Sequence, residues 1–199
     1  LLMCAASFAQ QALWGGAQIV SPEIHDNHTV TFRLKAPKAV SVQITGDFLP
    51  TKKMKSPYGE FDAPGTADLT EGKDGVWELT IAEPLKPELY SYSFLLDGMR
   101  INDPSNVFMI RDVASVTNVF IIGGERADLY KVNNVPHGTL SKVWYNSPSL
   151  GMNRRMTVYT PAGYESGSKR YPVFYLLHGM GGDENAWSDL GRAAQIMDN

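Results

Sequence analysis

An antiparallel β-sandwich followed by the opening strands of an α/β sheet is the fold class the sequence predicts, and three observations carry it. Apolar and polar residues alternate with period two from about Ile19 to Ile122, in runs divided by turn-forming pairs, as in packed antiparallel sheets. Much later comes an unbroken apolar run, Val173 to Leu177, of the kind expected for a strand covered on both faces. That run passes directly into His178-Gly179-Met180-Gly181-Gly182 and then a candidate helix from Ala186 to Met197.

Each strand of the first region has its own alternation. Val30, Phe32 and Leu34 alternate with Thr29, Thr31 and Arg33, and Val40, Val42 and Ile44 with Ser41, Gln43 and Thr45. Trp77, Leu79 and Ile81 obey the same rule. Tyr90, Tyr92 and Phe94 share one face opposite Ser91 and Ser93, which makes Trp77 and this aromatic set core residues, and Val119 and Ile121 supply a last strand. Gly46-Asp47, Lys73-Asp74-Gly75, Asp97-Gly98 and Asp103-Pro104 are the turns between them. Residues 19–122 are therefore expected to form the sandwich and 123–138, opening on Gly123-Gly124, a surface linker. Residues 139–199 form the second unit, with strands at Leu140 to Tyr145, Arg155 to Tyr159 and Val173 to Leu177, and with Asp183 or Asn185 as the helix cap.

Composition narrows the function classes. The 199 residues are 43% hydrophobic and carry a net charge of -3, which argues against nucleic acid or an anionic membrane as the main partner. No stretch approaches the roughly 20 apolar residues that span a bilayer. Leu1 to Ala9 reads as the remnant of a signal peptide cut between Ala9 and Gln10, implying a secreted or periplasmic protein. Cys4, the only cysteine, would leave with that leader, so no disulfide and no cysteine metal site is expected. The chain opens at Leu1 rather than Met and reaches Asn199 without a Gly-x-Ser-x-Gly elbow, so a fragment of a longer protein is expected.

The glycine turn is the candidate site. A tetrahedral acyl intermediate carries a negative oxygen that fixed backbone N–H groups must meet at short range, a contribution of roughly 3 to 4 kcal/mol per donor in comparable sites. Glycines let the backbone come that close. The N–H of Met180 or Gly181 is the expected donor, with the Met180 side chain incidental and Gly179 and Gly182 setting the geometry of the turn. His178 is expected to hold the turn through its ring. His25, His28, His137 and His178 all precede any possible elbow, whereas a triad histidine comes after it. Asp183 and Glu184 are expected to cap the next helix. Trp187 reads first as core, with a place in a substrate site as the alternative. Ser149, within Ser147-Pro148-Ser149-Leu150-Gly151, belongs to a hairpin turn, and Asp47, Asp97, Asp103 and Asp112 to turns rather than a calcium loop. No metal and no cofactor is expected.

Two resemblances add to this reading. Arg154-Arg155-Met156-Thr157-Val158-Tyr159-Thr160-Pro161-Ala162-Gly163-Tyr164, followed by Tyr171 to Trp187, resembles the esterase D type branch of the α/β-hydrolases, which includes the feruloyl and acetyl xylan esterases of carbohydrate esterase family 1. Val42 to Pro50, Asp74-Gly75-Val76-Trp77, Leu89 to Gly98, Asn102 to Asn106 and Arg111-Asp112 resemble the early-set immunoglobulin-like domain that precedes many such esterases, itself similar to the carbohydrate-binding modules of glycogen-branching enzymes. Together they imply an early-set immunoglobulin-like β-sandwich followed by the N-terminal part of an α/β-hydrolase fold. The implied activity is removal of feruloyl or acetyl groups from plant polysaccharide such as xylan, an acylated polysaccharide or oligosaccharide being the partner. A siderophore-ester hydrolase and a non-catalytic carbohydrate-binding or packing module are the alternatives. Where glycan-binding relatives carry a sugar-stacking Trp, this chain has Leu49-Pro50, which offer no flat aromatic face. The nucleophile, acid and base being absent, the chain should be inactive alone, and the run Val173 to Leu177 should lie uncovered without further strands beside it.

Overall fold

The computed structural model describes residues 19–57, 59–112 and 115–199. The expected leader remnant at residues 1–9, with Cys4 and the cut after Ala9, lies outside the described residues. In chain order the strands are β1 (Glu23–Ile24), β2 (Val30–Lys35), β3 (Val42–Gly46), β4 (Lys52–Ser56), β5 (Gly59–Ala63), β6 (Thr66–Asp68) and β7 (Thr70–Glu71). They continue with β8 (Val76–Ile81), β9 (Glu88–Leu96), β10 (Met99–Ile101), β11 (Met109–Asp112), β12 (Ser115–Ile122), β13 (Thr139–Ser147) and β14 (Met152–Thr160). Two short helices, α1 (Ala186–Asp189) and α2 (Ala193–Asp198), close the order.

Two antiparallel sheets and a separate β4-β5 hairpin form the first unit. One sheet runs β1-β2-β8-β7, and the other runs β11-β12-β9-β3-β6 with β10 paired to β9. Their inner faces meet in one core of Val30, Phe32, Leu34 and Trp77 from the first sheet and Val42, Ile44, Tyr92, Phe94, Phe120 and Ile122 from the second. The rings interlock: Phe32 lies edge-on to Tyr92 at 4.9 Å and stacks on Phe48 at 5.3 Å. Pairs of this kind add about 0.5–1.5 kcal/mol beyond the area they bury. Trp77 is buried and its indole N–H donates to the Ala36 carbonyl at 3.0 Å. The architecture is a β-sandwich with little helix.

The last strand expected at Val119 and Ile121 is β12, which adds Phe120 and Ile122 to the core cluster while Val119 is buried as well. Several details differ from the sequence reading. Val40 is 88% exposed, because the ladder of β3 begins only at Val42. Residues 125–130 form a 3-10 helix rather than a bare linker, with Ala127 fully buried and the Asp128 carboxylate accepting the Gly124 N–H at 2.8 Å. The helix expected over Ala186 to Met197 is broken at Gly191-Arg192, where Arg192 takes φ +50°.

Beyond the sandwich, β13 and β14 pair over nine positions, Thr139 opposite Thr160 to Ser147 opposite Met152. Ser149 sits in the Pro148–Leu150 turn at the tip of this hairpin, which Gly151 closes with φ +62°. The expected strand Val173 to Leu177 does not form: the segment has no regular secondary structure and joins no ladder among the described residues. A strand needs a partner for its N–H and C=O groups, and this hairpin pairs only with itself. Val173, Phe174, Tyr175 and Leu177 are exposed accordingly.

Candidate functional site

The turn after Leu177 is built by short-range bonds. The Gly182 N–H donates to the Gly179 carbonyl at 3.1 Å, closing a four-residue turn. Gly181 has φ +84° at the third position, the pattern of a type II turn and one that a side chain there would strain. The His178 Nδ1 lies 2.8 Å from the Gly179 carbonyl. A carbonyl only accepts, so Nδ1 carries the proton and the ring braces the turn from outside. A Cβ on Gly182 would come within 3.1 Å of the His178 Cβ, so the ring and the closing glycine fit against each other, whereas one on Gly179 would meet nothing within 4 Å. The N–H groups of Met180 and Gly181 have no acceptor among the described residues, and the Met180 side chain is fully exposed. Two adjacent main-chain donors are thus open at the crest of the turn.

Elements distant in sequence hold the segment from Asp183 to Trp187. The Asp183 Oδ1 accepts the Asn185 N–H at 2.9 Å, and its carbonyl accepts the Ala186 N–H at 3.1 Å, which anchors the chain just ahead of α1; the N-cap itself is Asn185, without a side-chain cap bond, rather than either of the two acids. Its Oδ2 takes the Arg111 guanidinium of β11 at 2.6 Å. The bond from Asn185, with Arg111 beside it, keeps the Asp183 carboxyl below its ordinary range. Glu184 is bound by Arg155 of β14, whose guanidinium also lies 5.4 Å from the centre of the Trp144 ring. The Glu184 carboxyl is held low by its own backbone N–H and by Arg155. Trp187 is half-exposed and spends its indole N–H on the Leu177 carbonyl at 3.0 Å.

A second joint lies at the other end of this unit. The Asp198 carboxylate receives the Gly138 N–H and the Tyr159 hydroxyl, each at 2.8 Å, and the His137 Nδ1 lies 2.9 Å away. Burial, with Asp198 beside it, pushes the Tyr159 hydroxyl up to about 12. Arg192 donates to the Tyr130 carbonyl at 2.7 Å, tying α2 to the 3-10 helix of residues 125–130.

The turn brings Met180, Gly181, His178, Gly179, Gly182 and Trp187 into one local structure. Arg111 and Arg155 were not legible as part of it, because an ion pair 72 residues apart leaves no periodic trace. The aspartates of the sandwich serve its turns. Asp47 accepts the Ser91 N–H and hydroxyl, and Asp97 the N–H groups of Val40 and Ser41. Asp103 accepts from Ser21, Tyr92 and Ser105. Among the described residues no group of three or more His, Cys, Asp or Glu is disposed to hold a metal ion.

Residues 147–199 match the family model described as Putative esterase. An endo-1,4-beta-xylanase/feruloyl esterase of Xylanibacter ruminicola is 31% identical over 183 residues, covering 89% of this chain and 23% of that protein. Both matches support an esterase family, and the chain spans under a quarter of that relative's length. Among solved structures, a pullulanase from Bacillus acidopullulyticus is similar at TM-score 0.36 and 17% identity, over 54% of this chain and 12% of that one. The catalytic module of a glycogen-degrading pneumococcal virulence factor reaches 0.37 at 16% identity, over 63% and 19%. The β-sandwich rests on the strand pairing of the chain itself.

Proposed function

We propose that this chain contributes an early-set immunoglobulin-like β-sandwich and the front part of an α/β-hydrolase to a secreted or periplasmic serine carboxylic-ester hydrolase, one that removes feruloyl or acetyl groups from plant polysaccharide such as xylan. The observation that carries the reading is the open pair of N–H groups at Met180 and Gly181, in a turn that lies within the segment matching the esterase family model. The chemistry is nucleophilic. A serine hydroxyl attacks the ester carbonyl while a histidine takes its proton, and the carbonyl oxygen becomes an anion met by the Met180 or Gly181 N–H. Collapse of that intermediate breaks the bond to the sugar oxygen, which takes the proton from the histidine and leaves as the hydroxyl; water, giving a proton to the same histidine, then attacks the acyl-enzyme, releasing the acid and returning the serine hydroxyl. The 199 residues contain no Gly-x-Ser-x-Gly elbow, so the reading assigns the serine, its acid and its histidine to other parts of the whole protein.

The sandwich serves this reading as a packing partner more than a glycan binder. Trp77, Tyr92 and Phe94 are buried in the core, and Leu49 packs against it where a stacking ring would be needed. In affinity electrophoresis through xylan or glycogen, residues 10–199 should migrate without retardation. The full-length protein should release acetate or ferulate from acylated xylan and be labelled covalently by a fluorophosphonate at one serine. Absence of both release and labelling would overturn the assignment. Residues 10–199 alone should leave p-nitrophenyl acetate at its buffer rate of hydrolysis.

A further inference from the structure

Asp183 comes directly after the glycine turn, and its carbonyl and both carboxylate oxygens are engaged. The carbonyl and Oδ1 bond forward into α1, and Oδ2 is taken by Arg111, a residue of the sandwich. The next residue, Glu184, is held by Arg155 of the hairpin. Guanidinium groups from two separate elements therefore pin two consecutive carboxylates, and the peptide that links Gly182 to Asp183 has its far end fixed from the sandwich. On the near side the turn is held by His178 on Gly179 and by Trp187 on Leu177. Arg111 supplies the part of this frame that comes from outside the esterase segment.

Magnitudes separate a stabilising role from a positioning one. The Arg111 side chain is more than half exposed, and ion pairs so placed contribute only about 0–1 kcal/mol to folding. Oxyanion donors, by contrast, act only when they stand about 2.7–3.1 Å from the developing charge, and a shift of about 1 Å can cost about 100-fold in rate. The contact is thus weak as a staple and consequential as a guide.

We propose that Arg111 is a positioning residue of the esterase: through Asp183 it sets the direction of the Met180 and Gly181 N–H groups, and so couples the β-sandwich to the reaction. This role rests on the esterase reading of the turn. A sandwich lacking the guanidinium would still fold and still sit beside α1, but the donors would lose their fixed orientation.

The test uses the full-length protein and p-nitrophenyl acetate, an ester small enough to report on the turn rather than on polysaccharide binding. Arg111→Gln should lower kcat by about 10-fold to 100-fold with KM changed by less than about twofold, the signature of an interaction realised in the transition state. Its melting temperature should stay within about 2 °C of wild type. Arg111→Lys, which keeps the charge, should restore most of the rate. Asp183→Asn keeps an oxygen for the Asn185 N–H and should match Arg111→Gln, and the double variant should be no slower than either single one. Arg126→Gln, which removes the exposed Glu88 pair of the sandwich, should leave kcat unchanged. If Arg111→Gln fails to fold, Asp183→Asn decides by the same kcat and KM split. Wild-type kcat in the folded Arg111→Gln protein, or additive losses in the double variant, would overturn the coupling alone. A wild-type protein that hydrolyses no ester would overturn the esterase reading and this role with it.

Discussion

The indole N–H of Trp187 donates to the carbonyl of Leu177 at 3.0 Å, tying the first turn of α1 back to the end of the apolar run that enters the glycine turn. The run has no neighbouring strand among the described residues to fix its end, so this bond and the His178 contact do that work locally. Gly191 belongs to the same joint: a Cβ there would stand 2.8 Å from a ring carbon of Trp187. The chain can pass the indole closely only because that residue is glycine.

Trp187→Phe should therefore keep the ring contact and lose the bond. A net hydrogen bond of about 1 kcal/mol corresponds to about a fivefold change in local opening. Amide exchange at Gly182 and Ala186 should speed up by about that factor, while the exchange of β9 and β12 stays as it was. Unchanged exchange at both amides would show that the turn keeps its shape without the indole.

The sandwich was legible because alternation against a buried face is a strong signal, and the residues it picked on β2, β8 and β9 stand in the core or pack against it. It misled where it outruns the ladder, as at Val40. The glycine turn was legible from its own residues, since Gly181 with φ +84° and Gly182 against His178 each need what only glycine provides. The surroundings of the turn were not. Arg111 with Asp183, Arg155 with Glu184 and Arg192 with the Tyr130 carbonyl are pairings of distant segments, and the charges that make them look like any solvated surface residues.

Two glycines in sandwich turns should respond differently to alanine. Gly98 has φ +84° in the two-residue Asp97-Gly98 hairpin loop, with open space where a Cβ would go, so Gly98→Ala should cost only the left-handed penalty of about 1–2 kcal/mol. Gly75 has φ +70°, and a Cβ there would lie 2.4 Å from the Pro37 Cα, a backbone atom that cannot swing aside. Urea unfolding of the 199-residue chain should show a clearly larger loss for Gly75→Ala than for Gly98→Ala. Equal losses would mean that residues 36–37 yield more easily than the core beneath them.

Acid should act in opposite directions on the Asp183–Glu184 pair and on Asp103 of the sandwich. Asp183 and Glu184 titrate below their ordinary values of 3.8 and 4.5, so as the pH falls the segment released from its clamps binds protons before the clamped one does. The stability they contribute is complete above those values and is lost as the pH drops through the lowered ones. Asp103 is pushed up from 3.8, chiefly by burial, so between 3.8 and its raised value the folded sandwich holds a proton that the unfolded chain does not. Its contribution therefore grows as the pH falls through that window. Hydrogen exchange corrected for intrinsic rate, tracked from about pH 5 to below 3.8, should show residues 179–189 losing protection before β9 and β12 do. The reverse order would mean that the two arginine clamps do not hold the turn.

Inside the sandwich, Tyr92 is the hinge of a closed polar network, and its removal is the sharpest stability test. Its hydroxyl donates to the Asp103 Oδ2 at 2.8 Å and accepts from the Asn106 side chain at 3.1 Å, with all three residues buried. Asp103 also takes the Ser21 hydroxyl at 2.6 Å and the Ser105 N–H at 2.8 Å, and its own N–H goes to the Asn118 side chain at 2.8 Å. Tyr92→Phe keeps the ring and its edge-on contact with Phe32 but leaves a buried carboxylate with one donor fewer, a loss of about 1–3 kcal/mol. Tyr90→Phe gives the comparison, since that hydroxyl donates to the Lys86 carbonyl near the surface, where water can replace it. The urea midpoint should fall for Tyr92→Phe at unchanged slope and scarcely move for Tyr90→Phe. Losing the donor should also push the Asp103 carboxyl further up, so the pH range over which protonation of Asp103 favours the folded sandwich should widen in Tyr92→Phe. Equal midpoints for the two variants would show that Ser21 and Ser105 alone satisfy the buried charge.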